Sequence, residues 1–339
     1  MKKIIKKSFN LVLVFTVTMA MVGCGKSGSE TSSREEGADQ SNWPRGLSVG
    51  SAPSGGTFNV YGTGWADIMT DEVGINMTVE STGGPIDNIE LVERGDMDVG
   101  MVTMGPAYEG FKGIEWAEQK HQNIRSIFPM YISYLHWFTM PDSGIKSLED
   151  ISGKVIGTGA EGGTPDYYTQ RAFQELGIEP QRIVNGSFSD YANQMRDGQM
   201  DVAGVFAPAG HPTITEMVQT DGVEVFGVEE KSEELAEKFD ITHGELSADS
   251  YENQEEEIDT LSIYSAFVVH KDLPEDLVYE MVKATYESKE KLAEVHQTGK
   301  DLSLDNVKEG ITSIPLHPGA IKYYEEEGID LPDSAYSEE

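Results

Sequence analysis

Leu47-Ser-Val-Gly-Ser-Ala-Pro-Ser-Gly-Gly-Thr-Phe58 decides the fold. Leu47–Gly50 is a short apolar run that reads as a buried strand. Ser51–Thr57 is a loop of small residues. From Phe58 to Met69 the apolar positions recur at helical spacing. The same plan follows at once. Met77–Glu80 reads as a strand, Ser81-Thr-Gly-Gly-Pro85 as a loop, and Ile86–Arg94 as a helix with Ile86, Ile89, Leu91 and Val92 on one stripe. Asp98–Val102 is a third strand. Strands alternating with helices predict an α/β protein with a parallel sheet and right-handed crossovers.

Outward from there the pattern recurs. Tyr134–Met140 and Lys154–Gly157 read as strands, with a short helix at Ser147–Ile151 capped by Ser147. A glycine-rich loop at 158–163 leads into a helix from Thr164 to Leu176. Arg182–Val184 is a strand, Ser189–Asp197 a helix and Asp201–Phe206 a strand. Glu93–Gly100 (ERGDMDVG) is echoed by Arg196–Ala203 (RDGQMDVA). In both, a helix ends at glycine and a buried strand starts, which points to two lobes of similar construction. Ser262–Val269 is a strong strand, and Glu275 to about Val295 is expected to be one long helix. A last helix lies near Ala320–Glu327. Residues 228–260 are acidic and weakly periodic and are expected to form a surface excursion.

The 339 residues are enough for two domains, and 38% hydrophobic with 25% charged residues marks a globular chain. Lys+Arg number 25 against 59 Asp+Glu, a net charge of −34. Nucleic acid is excluded as a partner, because phosphate binding needs clustered Lys and Arg. The single Cys excludes a disulfide framework, a Cys-based zinc site and an iron–sulfur cluster. The seven His form no HExxH or close ligand pair, so neither a metal nor a cofactor is expected.

Residues 1–23 read as an export signal. Lys2, Lys3, Lys6 and Lys7 precede the apolar stretch Leu11–Val22, which is too short to span a bilayer. The sequence Met21-Val-Gly-Cys24 resembles a bacterial lipobox, in which cleavage leaves a lipidated Cys24 as the first residue. Acyl chains would hold the protein to the membrane by about 0.8 kcal/mol per methylene. Residues 24–44 are polar and read as a tether. Removing the four lysines of residues 1–23 takes the net charge from −34 to −38. Such a surface repels itself, which fits an outside-facing protein of a saline or alkaline setting.

Three loops share one design: Ser54-Gly-Gly-Thr57, Ser81-Thr-Gly-Gly-Pro85 and Gly159-Ala-Glu-Gly-Gly-Thr-Pro165. Each joins a strand end to a helix start, where parallel sheets bind ligands. Helix starts carry unpaired N–H groups and the positive end of a dipole. With Ser and Thr hydroxyls they suit an anion such as a carboxylate or phosphate. N-capping alone would also explain the same residues. No loop has phosphate-loop or GxGxxG spacing, and no nucleophile–base set stands out. Phe58, Tyr61, Tyr108, Tyr131, Tyr134 and Phe206 lie near strand ends or helix starts; most read as core, with Phe58, Tyr131 and Phe206 as candidate site walls. His136 reads as core, His211 could face the cleft, and Asp96, Asp98 and Glu255–Glu257 read as solvated surface.

Taken together, Leu47–Phe58, Ser81–Gly84, Asp142–Asp150 (DSGIKSLED), Gly198–Asp201 (GQMD), Ala209–Ile214 (AGHPTI) and Asp272–Val278 (DLPEDLV) resemble the TAXI family of TRAP-transporter solute receptors, in order, over residues 45–325. The resemblance implies a two-lobed, type II periplasmic-binding-protein-like α/β fold with a ligand cleft between lobes. Residues 45–131 with 264–339 would form one lobe and 132–263 the other, with crossings near Phe128–Ser133 and Ser262–Ala266. It implies a monomer that captures a small carboxylate, glutamate- or 2-oxoglutarate-like, for an ion-driven TRAP membrane permease. Ser54, Gly55, Gly56, Thr57, Phe58, Ser81, Thr82, Gly83 and Thr164 would line the site. Two departures touch the same pocket. Thr103-Met-Gly105 replaces the family's Gln-Ser/Asn-Asp, and the loop ending Gly163-Thr164 reaches its Thr one residue early. An inward Glu161 would repel an anion. An ABC-type or sensory receptor of the same fold is the rival reading; an enzyme is disfavoured.

Overall fold

The computed structural model describes residues 40–53, 56–252 and 254–336. The expected signal, Cys24 and most of the tether lie outside these residues, as do Ser54 and Gly55. At the end of the expected tether the Trp43 indole donates to Asp276 at 3.0 Å.

In chain order the first elements are β1 (Gly46–Gly50), α1 (Thr57–Glu72), β2 (Asn76–Glu80), α2 (Pro85–Glu93), β3 (Val99–Thr103), α3 (Met104–Lys112) and the long β4 (Ile124–Thr139). The middle of the chain forms β5 (Val155–Gly157), α4 (Thr164–Leu176), β6 (Arg182–Val184), α5 (Phe188–Arg196), β7 (Val202–Ala207), α6 (Pro212–Asp221), β8 (Glu224–Phe226), α7 (Ser232–Phe239) and β9 (Thr242–Leu246). After β10 (Ile258–His270) come α8 (Glu275–Glu287), α9 (Lys289–Val295), α10 (Val307–Ile311) and α11 (Pro318–Glu326).

The strand order is β2-β1-β3-β10-β4-β7-β5-β6, with β8 on β4 and β9 on β10. The order reads alike from both ends: two parallel triplets, 2-1-3 and 6-5-7, flank the pair β10–β4. That pair runs antiparallel to its neighbours, so the sheet is mixed rather than wholly parallel as expected. The reason is topological. β4 and β10 carry the chain between the two halves, and each enters its next triplet from the opposite direction. Register shifts between Tyr264 and Ala266, and between Phe267 and Val268, bend the pair where it crosses.

Three apolar cores follow this plan. One is built from residues between 47 and 131 and between 266 and 335, with Trp65 against Phe267 (centroids 4.3 Å) and Phe128 (5.8 Å) at its centre. The other two lie on opposite sides of the β7 half and draw on residues between 135 and 263.

The sequence echo is an echo of contacts. Asp98 Oδ2 accepts from the N–H and hydroxyl of Ser48 on β1, and Asp201 Oδ2 accepts from the N–H of Val155 on β5. Asp98 is therefore a strand-to-strand tie and not solvated surface. Met97 and Met200 sit behind these ties. Each packs on the glycine that ends the first strand of its half. A Cβ at Gly50 would lie 2.7 Å from Met97 Sδ, and one at Gly157 2.9 Å from Met200 Sδ.

Other expectations are corrected. The long helix from Glu275 breaks at Ser288 into α8 and α9. The break brings Val295 against Gly64 of α1, where a Cβ would lie 2.4 Å from Val295 Cγ1. The acidic stretch is no excursion. α7 buries Leu235, Ala236 and Phe239 under the second core while its charges face outward, and β9 pairs with β10 along Thr242–Leu246. Helices α3 and α6, absent from the sequence reading, both begin at the sheet's ligand-facing edge.

Candidate functional site

A cleft partly open to solvent separates the two halves. Six helices start at its wall. Their N-cap residues, Gly56, Gly84, Thr103, Gly163, Ser187 and His211, all line it, three from each half. Among these caps only Ser187 makes a side-chain bond to its own helix, accepting from Asp190 N. The others leave helix N-termini uncapped by side chains. Each such end presents N–H groups and roughly half a positive charge. The halves touch at the floor of the cleft, where the Thr103 and Thr164 hydroxyls are 3.0 Å apart. Gly84, at φ +107, faces Gly163 across the cleft, where a Cβ would sit in ordinary contact, 3.9 Å from the Gly163 Cα.

Among the described residues the lining holds no Lys, Arg, Asp or Glu. Phe58, Tyr131, Phe188 and Phe206 form aromatic walls. Phe58 meets Tyr131 edge-on at 6.4 Å, and Phe188 meets His211 edge-on at 4.9 Å. Two polar groups in this lining are buried and make no hydrogen bond: Thr57 Oγ1 and His211 Nδ1. Unmade bonds of this kind cost about 1–3 kcal/mol each in an interior, so they mark atoms awaiting a partner. Burial, helped by His136 and His296, lowers the His211 pKa to about 3, so the ring is neutral. Burial likewise holds the Tyr131 phenol protonated. The site is thus a neutral-walled chamber whose positive potential comes from backbone.

Behind His211 runs a fixed network. His136 Nδ1 faces the Tyr134 carbonyl at 2.9 Å and must carry the proton there. His136 Nε2 then accepts from the Tyr251 hydroxyl at 2.8 Å, whose oxygen accepts from the His211 backbone N–H. At the rim, Glu109 of α3 takes Arg171 Nη1 and the Tyr167 hydroxyl of α4, each at 2.8 Å.

Of the expected site residues, Gly56, Thr57, Phe58, Gly83, Thr103, Tyr131, Gly163, Thr164 and Phe206 line the cleft. Ser81 and Thr82 do not. The Ser81 hydroxyl donates to the Ala52 carbonyl, and Thr82 Oγ1 bonds the Ser51 carbonyl and Asn88 Oδ1 and accepts from Gly84 N. They shape the loop rather than the wall. Glu161 is exposed and outside the lining, which removes the expected repulsion. No group of side chains among the described residues could hold a metal ion.

The model of the NMT1-like family matches residues 49–328. The chain belongs to the NMT1-like family. Solved structures similar to this NMT1-like chain include the periplasmic binding protein BugD, at 14% identity and a TM-score of 0.55, covering 85% of this chain and 95% of that one. MatC from Rhodopseudomonas palustris with bound malate is similar at 10% identity and 0.53, covering 75% and 88%. A periplasmic transporter matches at 12% and 0.53, covering 83% and 94%. The fold is that of the type II periplasmic solute-binding proteins, two-lobed with a cleft between the lobes.

Sequence reasoning missed Gly186–Phe188 and Pro208, and placed the α5 start at Ser189. The usable signal was Ser187 with Asp190 three residues on, a capping pair that moves the first helical residue from Ser189 to Phe188. For α6 it was Pro212 at the first helical position.

Proposed function

We propose that this chain is an extracytoplasmic solute receptor that captures a small carboxylate without chemistry and hands it to a membrane permease of the TRAP type. The observation that carries the reading is the convergence of six helix N-termini, three from each half, on a chamber lined, among the described residues, by no charged side chain. Such a chamber holds an anion by N–H donors and helix dipoles from both sides, so the ligand itself stabilises the closed form. The unpartnered Thr57 hydroxyl supplies a further donor. Ser54 and Gly55 belong to the same loop and are assigned to the site with it.

On this reading residues 45–131 with 264–339 form one lobe and 132–263 the other, and closure bends β4 and β10 where they cross. Cys24 carries the lipid anchor, and the chain acts as a monomer at the outer face of the cell membrane. The delivery step rests on the likeness to TAXI receptors at Leu47–Phe58 and Ser81–Gly84. Among the described residues of the cleft no nucleophile is paired with a base, which supports binding over catalysis. Ser133 is engaged with Ser265 at 3.1 Å, and no acid among the lining residues orients His211.

The test is calorimetric titration of the mature chain, carrying Cys24→Ser to keep it soluble, with C4–C6 carboxylates. Saturable micromolar or tighter binding without conversion of the ligand is expected. No binding by any carboxylate, or turnover of one, overturns the reading. Loss of fatty-acid labelling in cells on Cys24→Ser tests the anchor.

A further inference from the structure

An anion held by helix ends still leaves the rest of the ligand to be named, and the walls of the cleft speak to it. An α-amino acid would bring an ammonium group into the chamber. A buried ammonium needs a carboxylate, because unpaired burial costs several kcal/mol. Among the described residues none lines the cleft, and Ser54 and Gly55 add no charge. The carboxylates nearest the helix starts are turned back on their own loops. Asp87 accepts from Gly83 N at 2.9 Å. Asp166 accepts from Thr158 Oγ1 at 2.6 Å, and from Gly162 N and Asn185 Nδ2 at 3.0 Å each.

A second carboxylate is no better served. Among the described residues no Arg or Lys lines the cleft to meet it. Ser187 already caps α5, and α2 and α6 each begin at a proline, Pro85 and Pro212, which has no N–H to give. The surrounding wall is Phe188, Phe206, Ala207 and Pro208, which fits hydrocarbon. His211 adds one neutral polar handle with Nδ1 unpartnered, which suits a hydroxyl or oxo oxygen.

Resting on the carboxylate-receptor reading, we infer that the cleft selects a monocarboxylate with no ammonium group and with an apolar body, namely a 2-oxo or 2-hydroxy acid bearing a branched aliphatic or aromatic side chain. The charge-free lining and the aromatic walls carry this choice. Glutamate and 2-oxoglutarate, the ligands implied by the sequence resemblance, then fit poorly.

The experiment is calorimetry on the mature Cys24→Ser chain with 4-methyl-2-oxopentanoate, phenylpyruvate, L-leucine, L-phenylalanine, 2-oxoglutarate and L-glutamate. Each oxo acid should bind about 100-fold or more tightly than the amino acid of the same side chain, since only the amino acid buries an unpaired ammonium. The apolar oxo acids should exceed 2-oxoglutarate by about 10-fold, because a second carboxylate would be buried without a cation. Equal or tighter binding of an amino acid, or tightest binding of 2-oxoglutarate, overturns the inference and leaves the carboxylate receptor standing. Failure of all six overturns the inference, and failure of the C4–C6 panel as well overturns the receptor reading.

Discussion

Arg171→Met tests whether the two halves move. Arg171 Nη1 lies 2.8 Å from Glu109 Oε1, and Nη2 lies 3.5 Å from Glu115. The side chains of Arg171 and Glu109 are only 17% and 5% exposed. The guanidinium also sits 4.5 Å from the Phe239 ring centroid, and Met keeps much of that packing. Removing one partner of a buried pair costs about 3–5 kcal/mol. The lower end applies here, because Tyr167 still donates to Glu109 and burial already raises the Glu109 pKa, so the carboxyl can take up a proton. The pair joins α3, which packs in the first core, to α4, which packs in the second. If it forms only on closure, about 3 kcal/mol falls on the closing equilibrium and ligand affinity drops roughly 100-fold. Stability of the ligand-free chain to urea should then change by less than about 1 kcal/mol. Calorimetry, urea unfolding and the radius of gyration with and without ligand read the two quantities separately. Unchanged affinity with the full loss in ligand-free stability would refute the moving clasp and make the pair a fixed tie.

Thr57→Val removes a hydroxyl that makes no hydrogen bond within the protein, so binding should weaken by about 1 kcal/mol while the melting temperature holds; equal affinity would remove Thr57 from the site. Thr82→Ala should act the other way, lowering stability by about 1–2 kcal/mol through the lost Ser51 and Asn88 bonds and leaving the selectivity among acids intact, as denaturation and titration would show. His136 is fully buried and its pKa falls to about 4, so the unfolded chain binds the extra proton first as pH drops below 6.5. Its contribution is present above that pH and about 3 kcal/mol is lost by pH 4; a His136→Asn chain should show a flatter acid limb, and parallel limbs would contradict the assignment. The excess of acid predicts a melting temperature that climbs from low to molar salt; a flat profile would end the idea that screening matters.

Much of the site was legible because the turn after a buried strand has its own chemistry. Gly56, Gly84 and Gly163 each stand at the N-cap of a helix that starts at the cleft, Gly84 at a φ of +107 that favours glycine, and those positions are written in SGGT, STGG and GGTP. What sequence could not reveal is which way a hydroxyl turns. Thr57 and Thr82 look alike in their motifs, yet one faces the cleft and the other closes its loop. Helix α3 was hidden by Gly105 and Pro106, poor helix formers that the burial of Met104 and Ala107 overrides. Phe239 was hidden among acids because an outward charged face masks a short inward stripe. The parallel triplets were read correctly from local alternation. The antiparallel β10–β4 pair, joining residues more than a hundred positions apart, left no local trace.

The palindromic strand order sets the timetable of assembly. The core around Trp65 takes its last members from the far end of the chain: His317 N–H donates to the Ser126 carbonyl, and the Tyr324 hydroxyl donates to Ile127. A chain emerging amino-terminus first can complete the cores built from residues 135–263 while the earlier-made β1–β3 segment waits, its apolar face unclosed, for β10 and α11. Folding therefore finishes where synthesis began, and a chain cut short near residue 300 would present that face to chaperones and proteases.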